Sequence, residues 1–456
     1  MLQKQVKHMK AIFAKKENPM KRCSKCILAA SIILTAVLAS CSSAPSDAQT
    51  SHSASQQGTG AAAAQNTPSG SLMFVTDDEE FSGRSIGNAQ GYYYVDRGGG
   101  IAANLHYMDY ASKQDIFLSS RPEGNHFSPD DESYVASAAG SSVVFPLEDT
   151  LYLVRSGAPD YSNEYGRDAL AAVFTMNLNG SKRQELYLGS ASETLLSTIA
   201  ADGENLYLVS SDTQMEHEVP VQRRYLVQIN RKTGEKETLT ELTESAWMIG
   251  ASGKYLVFHS IRAQADSEAQ APVMTHEILV YDFDAKSLSV VESWPQEQML
   301  TVKVYNDTLV IADAVSKTLT VQELASGTIK NTFSLASHMP SQDTKLWFEE
   351  CRDGKFLFWN YEQQALSAID LETGEWKTVT LTYQDPEKEE ARPVEIYAET
   401  DTDFLVCYDK QTVTKQFVDL AGVLDQRESE QPCFALIAKQ DYWNSVPNFQ
   451  KIAWTD

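Results

Sequence analysis

The thiol of Cys41 stands in the setting that promises most chemistry in this chain. It follows Leu38-Ala39-Ser40 and closes an apolar run from Ile27 to Leu38. The other cysteines are less telling. Cys23 and Cys26 share the N-terminal segment, while Cys351, Cys407 and Cys433 lie far downstream. Three is an odd number, so the downstream chain is not a disulfide scaffold. Either Cys407 pairs with Cys433 or all three are buried free thiols. Histidine is the usual acid–base residue near neutral pH. His106, His126, His217, His259, His276 and His338 are scattered, and each reads as a loop or strand residue. No G-x-S-x-G, H-E-x-x-H or P-loop occurs. The acidic runs Asp77 to Glu80 and Asp130-Asp131-Glu132 lack the spaced carboxylates of a calcium loop, and read as solvated charge. The seven tryptophans read as fillers of a β core. The expectation is a protein that is not an enzyme and holds neither cofactor nor metal.

The elements around Cys41 explain its position. Eight lysines and arginines precede it against the single acid Glu17. The apolar run that follows them is a dozen residues, short of the roughly 20 that span a membrane. A basic stretch, a short apolar core and small residues make a secretory signal over residues 1–40. Met9 or Met20 gives an alternative start. The ending Leu38-Ala39-Ser40-Cys41 resembles the bacterial lipobox. That resemblance implies cleavage before Cys41, a diacylglyceryl group on its thiol, and attachment to the outer face of the bacterial cell membrane. Residues 41–71 are Ser, Ala, Gln, Gly and Thr with almost no large apolar side chain, so they cannot bury enough surface to order themselves. As a coil this tether spans roughly 30 Å. The whole chain carries a net charge of −24, and removing the basic signal leaves about −31. Nucleic acid and anionic headgroups repel such a chain, so the lipid bilayer is reached through acylated Cys41 and not through charge.

Residues 72–456 carry an internal repeat. A turn followed by an apolar strand recurs as NAQGYYYV, LEDTLYLV, DGENLYLV, ASGKYLVF, YNDTLVIA, RDGKFLFW and TDTDFLVC. The first apolar residues are Tyr92, Leu151, Leu206, Tyr255, Leu309, Phe356 and Phe404. Strand-like runs precede several copies, as at Val143-Val144-Phe145. From the second copy onward a further hairpin follows, turning at Asn179-Gly180, Thr233-Gly234, Ala285-Lys286, Ser326-Gly327, Thr373-Gly374 and Ala421-Gly422. Each unit is thus four short strands and three turns. One such sheet cannot bury both faces alone, whereas copies around an axis bury them against one another. The expected fold is an all-β, seven-bladed β-propeller of four-stranded antiparallel sheets. A pair of β-sandwiches is the rival.

The blades lack the Trp-Asp and Gly-His signatures of WD40 repeats and have the look of divergent propellers resembling TolB. The stretch from Gly91 to Tyr134 and the phrase FALIAKQDYWNSVPNF from Phe434 resemble uncharacterised β-propeller lipoproteins of Gram-positive gut bacteria. In that group a cysteine cluster with one histidine follows the first blade. Here its positions read Ser119, Pro122, Gly124, His126 and Ser133, so no zinc site remains and packing and hydrogen bonds must hold the loop. If the recurring phrase is the second strand of each blade, the next connection is long in copies two, three and four: Ser156 to Asp168, Ser211 to Gln222, and Arg262 to Pro272. Long loops on a rigid scaffold commonly carry function. Tyr161, Asn163, Tyr165 and Arg167 give the first the composition of a recognition loop. The leading expectation is a surface lipoprotein that binds a protein, peptide or glycan. The alternatives are a hydrolase or lyase using channel carboxylates such as Glu349, Glu350 and Glu395, or a structural part of an envelope complex.

Overall fold

A computed structural model describes residues 71–76, 84–96, 101–121, 125–136, 141–217, 219–264, 273–298, 300–338, 346–360, 363–385, 390–419 and 422–454. Cys41, the signal segment, the tether up to residue 70 and the run Asp77 to Glu80 lie outside the described residues. The chain is an all-β protein of the propeller type. Among the described residues all but four of its strands fall into seven four-stranded groups in chain order. Groups 2 to 6 occupy 142–188, 193–242, 247–295, 300–334 and 346–379, and group 7 occupies 395–451. Group 1 joins Gly91–Asp96, Ala102–Asp109 and Gln114–Phe117 to the C-terminal strand Ala453–Trp454. That last strand runs parallel to Gln114–Phe117, so the end of the chain completes the first sheet.

The recurring phrase forms the second strand of groups 2 to 7, for example Thr150–Arg155 and Asn205–Glu216. In group 1 it is the edge strand, because the strand before it in sequence pairs elsewhere. Leu72–Phe74 lies between the first strands of groups 3 and 4 and joins the two into one nine-stranded sheet. The phrase reads as a continuous apolar run for a physical reason. Every residue of Ser142–Leu147 is buried, and so is all of Leu151 to Arg155, because neighbouring groups cover both faces. Fourth strands such as Ser287–Pro295 and Ile329–Ser334 are largely exposed, and there the sequence alternates or turns polar.

Seven apolar clusters hold the groups together, each shared by two consecutive groups. Leu151, Leu153 and Met176 of group 2 pack on Tyr93, Leu105 and Val135 of the first. The seventh cluster sets Leu405, Cys407 and Leu436 of group 7 against Tyr92 and Met108 of group 1, which closes the ring. Side-chain oxygens fix the turns. Asp202 accepts the backbone N–H groups of Glu204 and Asn205, and Asn230 accepts those of Lys232 and Thr233.

Three expectations are corrected. Within the segments 211–222 and 262–272 the strands of groups 3 and 4 run on to Glu216 and Gln264 and return from Val219 and Val273, so these described parts are strand and not loop; residues 218 and 265–272 lie outside the described residues. Gly422 is not in a turn between third and fourth strands: it lies in the connection between the second and third strands of group 7, Asp403–Val418 and Leu424–Ala438, the longest hairpin in the chain among the described residues, and Ala421 lies outside the described residues. This hairpin was not expected, nor was the small one formed by Thr382–Asp385 and Glu390–Pro393 before group 7.

Candidate functional site

In groups 2 to 7, each an antiparallel meander, the connections between second and third strands leave one end of the groups. The end of the phrase strand in group 2 meets the start of group 3, where Leu195 N–H donates to Ser156 C=O at 2.8 Å. The group 7 hairpin reaches back over group 1. There Ile101 N–H donates to Val418 C=O at 3.0 Å and Lys415 pairs with Asp96 at 2.7 Å. The group 2 connection is compact. Pro159–Tyr161, Ser162–Tyr165 and Gly166–Ala169 form three short helical turns over the buried Arg155, whose guanidinium donates to Leu170 C=O and Arg167 C=O, each at 2.9 Å. Tyr161 and Tyr165 face one another with ring centroids 6.1 Å apart, and Arg167 donates to Glu185 at 2.6 Å. Asn163 lies in the short helical turn between them. Apolar side chains stand exposed on this end: Tyr161, Met215, Val273, Val315, Val423 and Leu424.

The loop after group 1 holds a second constellation. Asp131 is buried and accepts from four donors. Ser133 N–H and Oγ reach one oxygen at 2.8 and 2.6 Å, while Ser119 Oγ and His126 Nδ1 reach the other at 2.9 and 3.2 Å. These donors occupy three of the positions at which the resembling group carries cysteine or histidine, so a hydrogen-bonded cage holds the loop. Burial works to raise the Asp131 pKa, but the bonds from Ser133, Ser119 and His126 outweigh it and hold the carboxyl below its ordinary value. The Phe117 ring stacks on His126 with centroids 4.0 Å apart and shuts the cage. Asp131 is therefore not solvated charge, as its acidic run had led one to expect. Arg183 of group 2 donates to the carbonyls of Glu132 and Tyr134 and ties the loop to the next group.

The third constellation lines a cleft of about 310 Å³ at the seam of groups 2 and 3. Glu193, buried at the start of group 3, accepts from Ser210 Oγ at 2.6 Å and Lys236 Nζ at 2.7 Å on one oxygen. Its other oxygen accepts from Tyr187 OH at 2.6 Å. Burial pushes its pKa up, but Lys236, Ser210 and Tyr187 more than offset this, and the group stays ionised. Tyr225 and Asp212 complete the walls. Gly189 makes the approach possible: a Cβ there would stand 2.7 Å from Glu193 Oε2.

No protein-family model matches this chain, and no curated protein matches it. Solved structures similar to it include an oligogalacturonate lyase in complex with manganese, at 12% identity over 82% of this chain and 92% of that one, with a TM-score of 0.43. A puromycin hydrolase is similar at 13% identity over 81% of this chain and 59% of the other, TM-score 0.41. Hsv2 of Kluyveromyces lactis is similar at 8% identity over 79% and 99%, TM-score 0.36. Likenesses this distant carry no argument about activity.

The remaining candidates are dispersed. Glu350 pairs with Arg352 at 2.6 Å and Glu395 with Arg84 at 3.7 Å; the Glu349 side chain lies outside the described residues. His106 is buried and bonded to Asp115 at 3.1 Å, and Asp115 also accepts from Tyr94 OH at 2.6 Å. His259 and His276 lie 2.9 Å apart between Trp247 and Trp294, and burial lowers the His276 pKa. His217 sits at the hairpin tip of group 3, and His338 stacks on Trp376. Among the described residues Cys351, Cys407 and Cys433 form no disulfide, so Cys407 and Cys433 are not bonded to each other, and Cys433 is only half-buried. Burial pushes the Cys407 thiol up to about 12, which leaves it inert near neutral pH. The cleft was missed in sequence because Glu193, Ser210, Lys236 and Tyr187 lie on four different strands.

Proposed function

We propose that this protein is an extracytoplasmic lipoprotein, anchored through Cys41, whose propeller docks a protein or peptide partner on the end bearing the second-to-third strand connections. The observation that carries this reading is the placing of exposed apolar side chains. Six of the 11 large apolar residues exposed among the described ones stand on those connections, with Met215 at 68% and Val315 at 67% exposure. Exposed apolar groups gathered on one face mark interaction surfaces. Leu72 pairs with Gly253, next to the turn between the first two strands of group 4, so the described chain enters at the end opposite the connections and leaves them uncovered by its first strand. Catalysis by channel carboxylates has less support, since Glu350 and Glu395 each face an arginine.

The test is capture of partners by crosslinking the full-length protein in its membrane, followed by solubilisation. The variant carrying Met215→Ser, Val315→Ser and Val423→Ser is expected to lose the captured species and keep its thermal midpoint. Undiminished capture would sink the docking face. Cys41→Ser is expected to release the protein from the membrane fraction, and its retention there would refute the anchor.

A further inference from the structure

We propose that the cleft between groups 2 and 3 is a binding site for a neutral, hydroxyl-rich ligand, a short saccharide. This site is distinct from the apolar connections and does not depend on the docking reading. The cleft is about 310 Å³, at the small end of ligand clefts, which run from roughly 300 to 1,000 Å³. Its chemistry selects the ligand class. Two tyrosines, Tyr187 and Tyr225, are in the lining, and Val227 is its one aliphatic side chain. A purely apolar ligand would therefore bury polar groups without returning their hydrogen bonds.

Charge narrows the choice further. An anion entering the cleft meets the carboxylates of Glu193 and Asp212, while the one cation, Lys236, is already engaged by Glu193 at 2.7 Å. A cation must compete with Lys236 for Glu193. A neutral polyol disturbs neither group and both donates and accepts. Asp212 lines the cleft, and its Oδ2 takes one donor, the Gln214 side chain at 2.6 Å, which leaves that oxygen a second lone pair for a ligand hydroxyl. Ser190 and Thr238 add exposed hydroxyls at the rim. Glu193 does not reorganise when ligand arrives, because its three donors already hold it.

The experiment uses the full-length protein in a detergent without a sugar headgroup. Maltose, cellobiose, lactose and chitobiose are offered by saturation-transfer NMR, and the hit is titrated by calorimetry. Glucuronate and spermidine serve as the anionic and cationic probes. At least one neutral disaccharide is expected to bind. Tyr225→Ala is expected to weaken it by about ten-fold, roughly the worth of one lost wall or hydrogen bond. Tyr225 also packs against the core, so Ser190→Trp, at the exposed rim, blocks the cleft without touching the fold. The triple variant Met215→Ser, Val315→Ser and Val423→Ser should bind the disaccharide as the parent does, which separates the two sites. The proposal is overturned if no neutral saccharide binds, if spermidine or glucuronate binds more tightly, or if binding survives Ser190→Trp.

Discussion

Asp131 after group 1 and Glu193 at the head of group 3 are both buried carboxylates held below their ordinary pKa by hydroxyl and nitrogen donors, and Glu193 lines a cleft while a ring stacks over the donors of Asp131. The source of the donors makes the difference. Asp131 takes Ser119, His126 and Ser133 from its own loop, and the Phe117 ring closes over them. Glu193 takes Tyr187 from the last strand of one group, and Ser210 and Lys236 from two strands of the next. Donors within one loop shrink it around the charge and make a staple. Donors on separate rigid strands cannot collapse, so space remains beside the charge. The same device therefore closes a loop in one place and preorganises a site in the other.

The comparison breaks first at Asp131. Asp131→Ala leaves several buried donors without an acceptor and is expected to cost about 3 kcal/mol or more, read from urea unfolding. A loss below about 1 kcal/mol would mean the cage is not a staple. Glu193→Ala should cost less, about 1–2 kcal/mol, because Lys236 is partly exposed and can turn to water. If the two losses are equal, the contrast between staple and site fails. Gly189→Ala sets a methyl group against Glu193 and is expected to cost about 1 kcal/mol while distorting the cleft, so disaccharide binding falls more than stability does.

Acid offers a further test. Both carboxyls have folded pKa values below their ordinary 3.8 and 4.5, so each contributes stability that is present above those values and lost as pH falls through the folded pKa. Unfolding midpoints measured from about pH 5 down to about pH 2 should decline less steeply in Asp131→Ala and in Glu193→Ala than in the parent. An unchanged slope in either variant would show that its carboxyl does not carry the acid sensitivity. The smallest effect is expected at Arg167, whose exposed guanidinium pairs with Glu185. Arg167→Ala should leave stability within about 0.5 kcal/mol, as surface substitutions do, and a larger loss would show that the group 2 connection is held from outside rather than by Arg155 beneath it.

How far the sequence could be read followed the range of the forces involved. The phrase LEDTLYLV announces a strand covered on both faces, and Asn179-Gly180 or Thr373-Gly374 announces a reversal, because burial pattern and turn geometry are written in neighbouring residues. The group 7 hairpin was not legible. Its residues from Lys410 to Glu430 are largely polar or exposed, so no burial pattern distinguishes a paired ribbon from a loop. Asp130-Asp131-Glu132 carries no mark of which carboxyl goes inside. The one signal was that hydroxyls and a histidine occupied the spacing of the resembling group's cysteine cluster.

The sequence by itself determined the repeat, the covered second strands and their turns, since alternation and turn propensity act within a few residues. Tertiary structure alone decided that Leu72–Phe74 would slip between groups 3 and 4, that Ala453–Trp454 would complete the first sheet, and that Glu193 would meet Tyr187, Ser210 and Lys236. An edge strand takes whichever partner the ring leaves open, and a buried charge survives only where donors from distant segments converge. Both depend on closure of the ring, where the cluster around Tyr92, Leu405 and Leu436 joins its last group to its first.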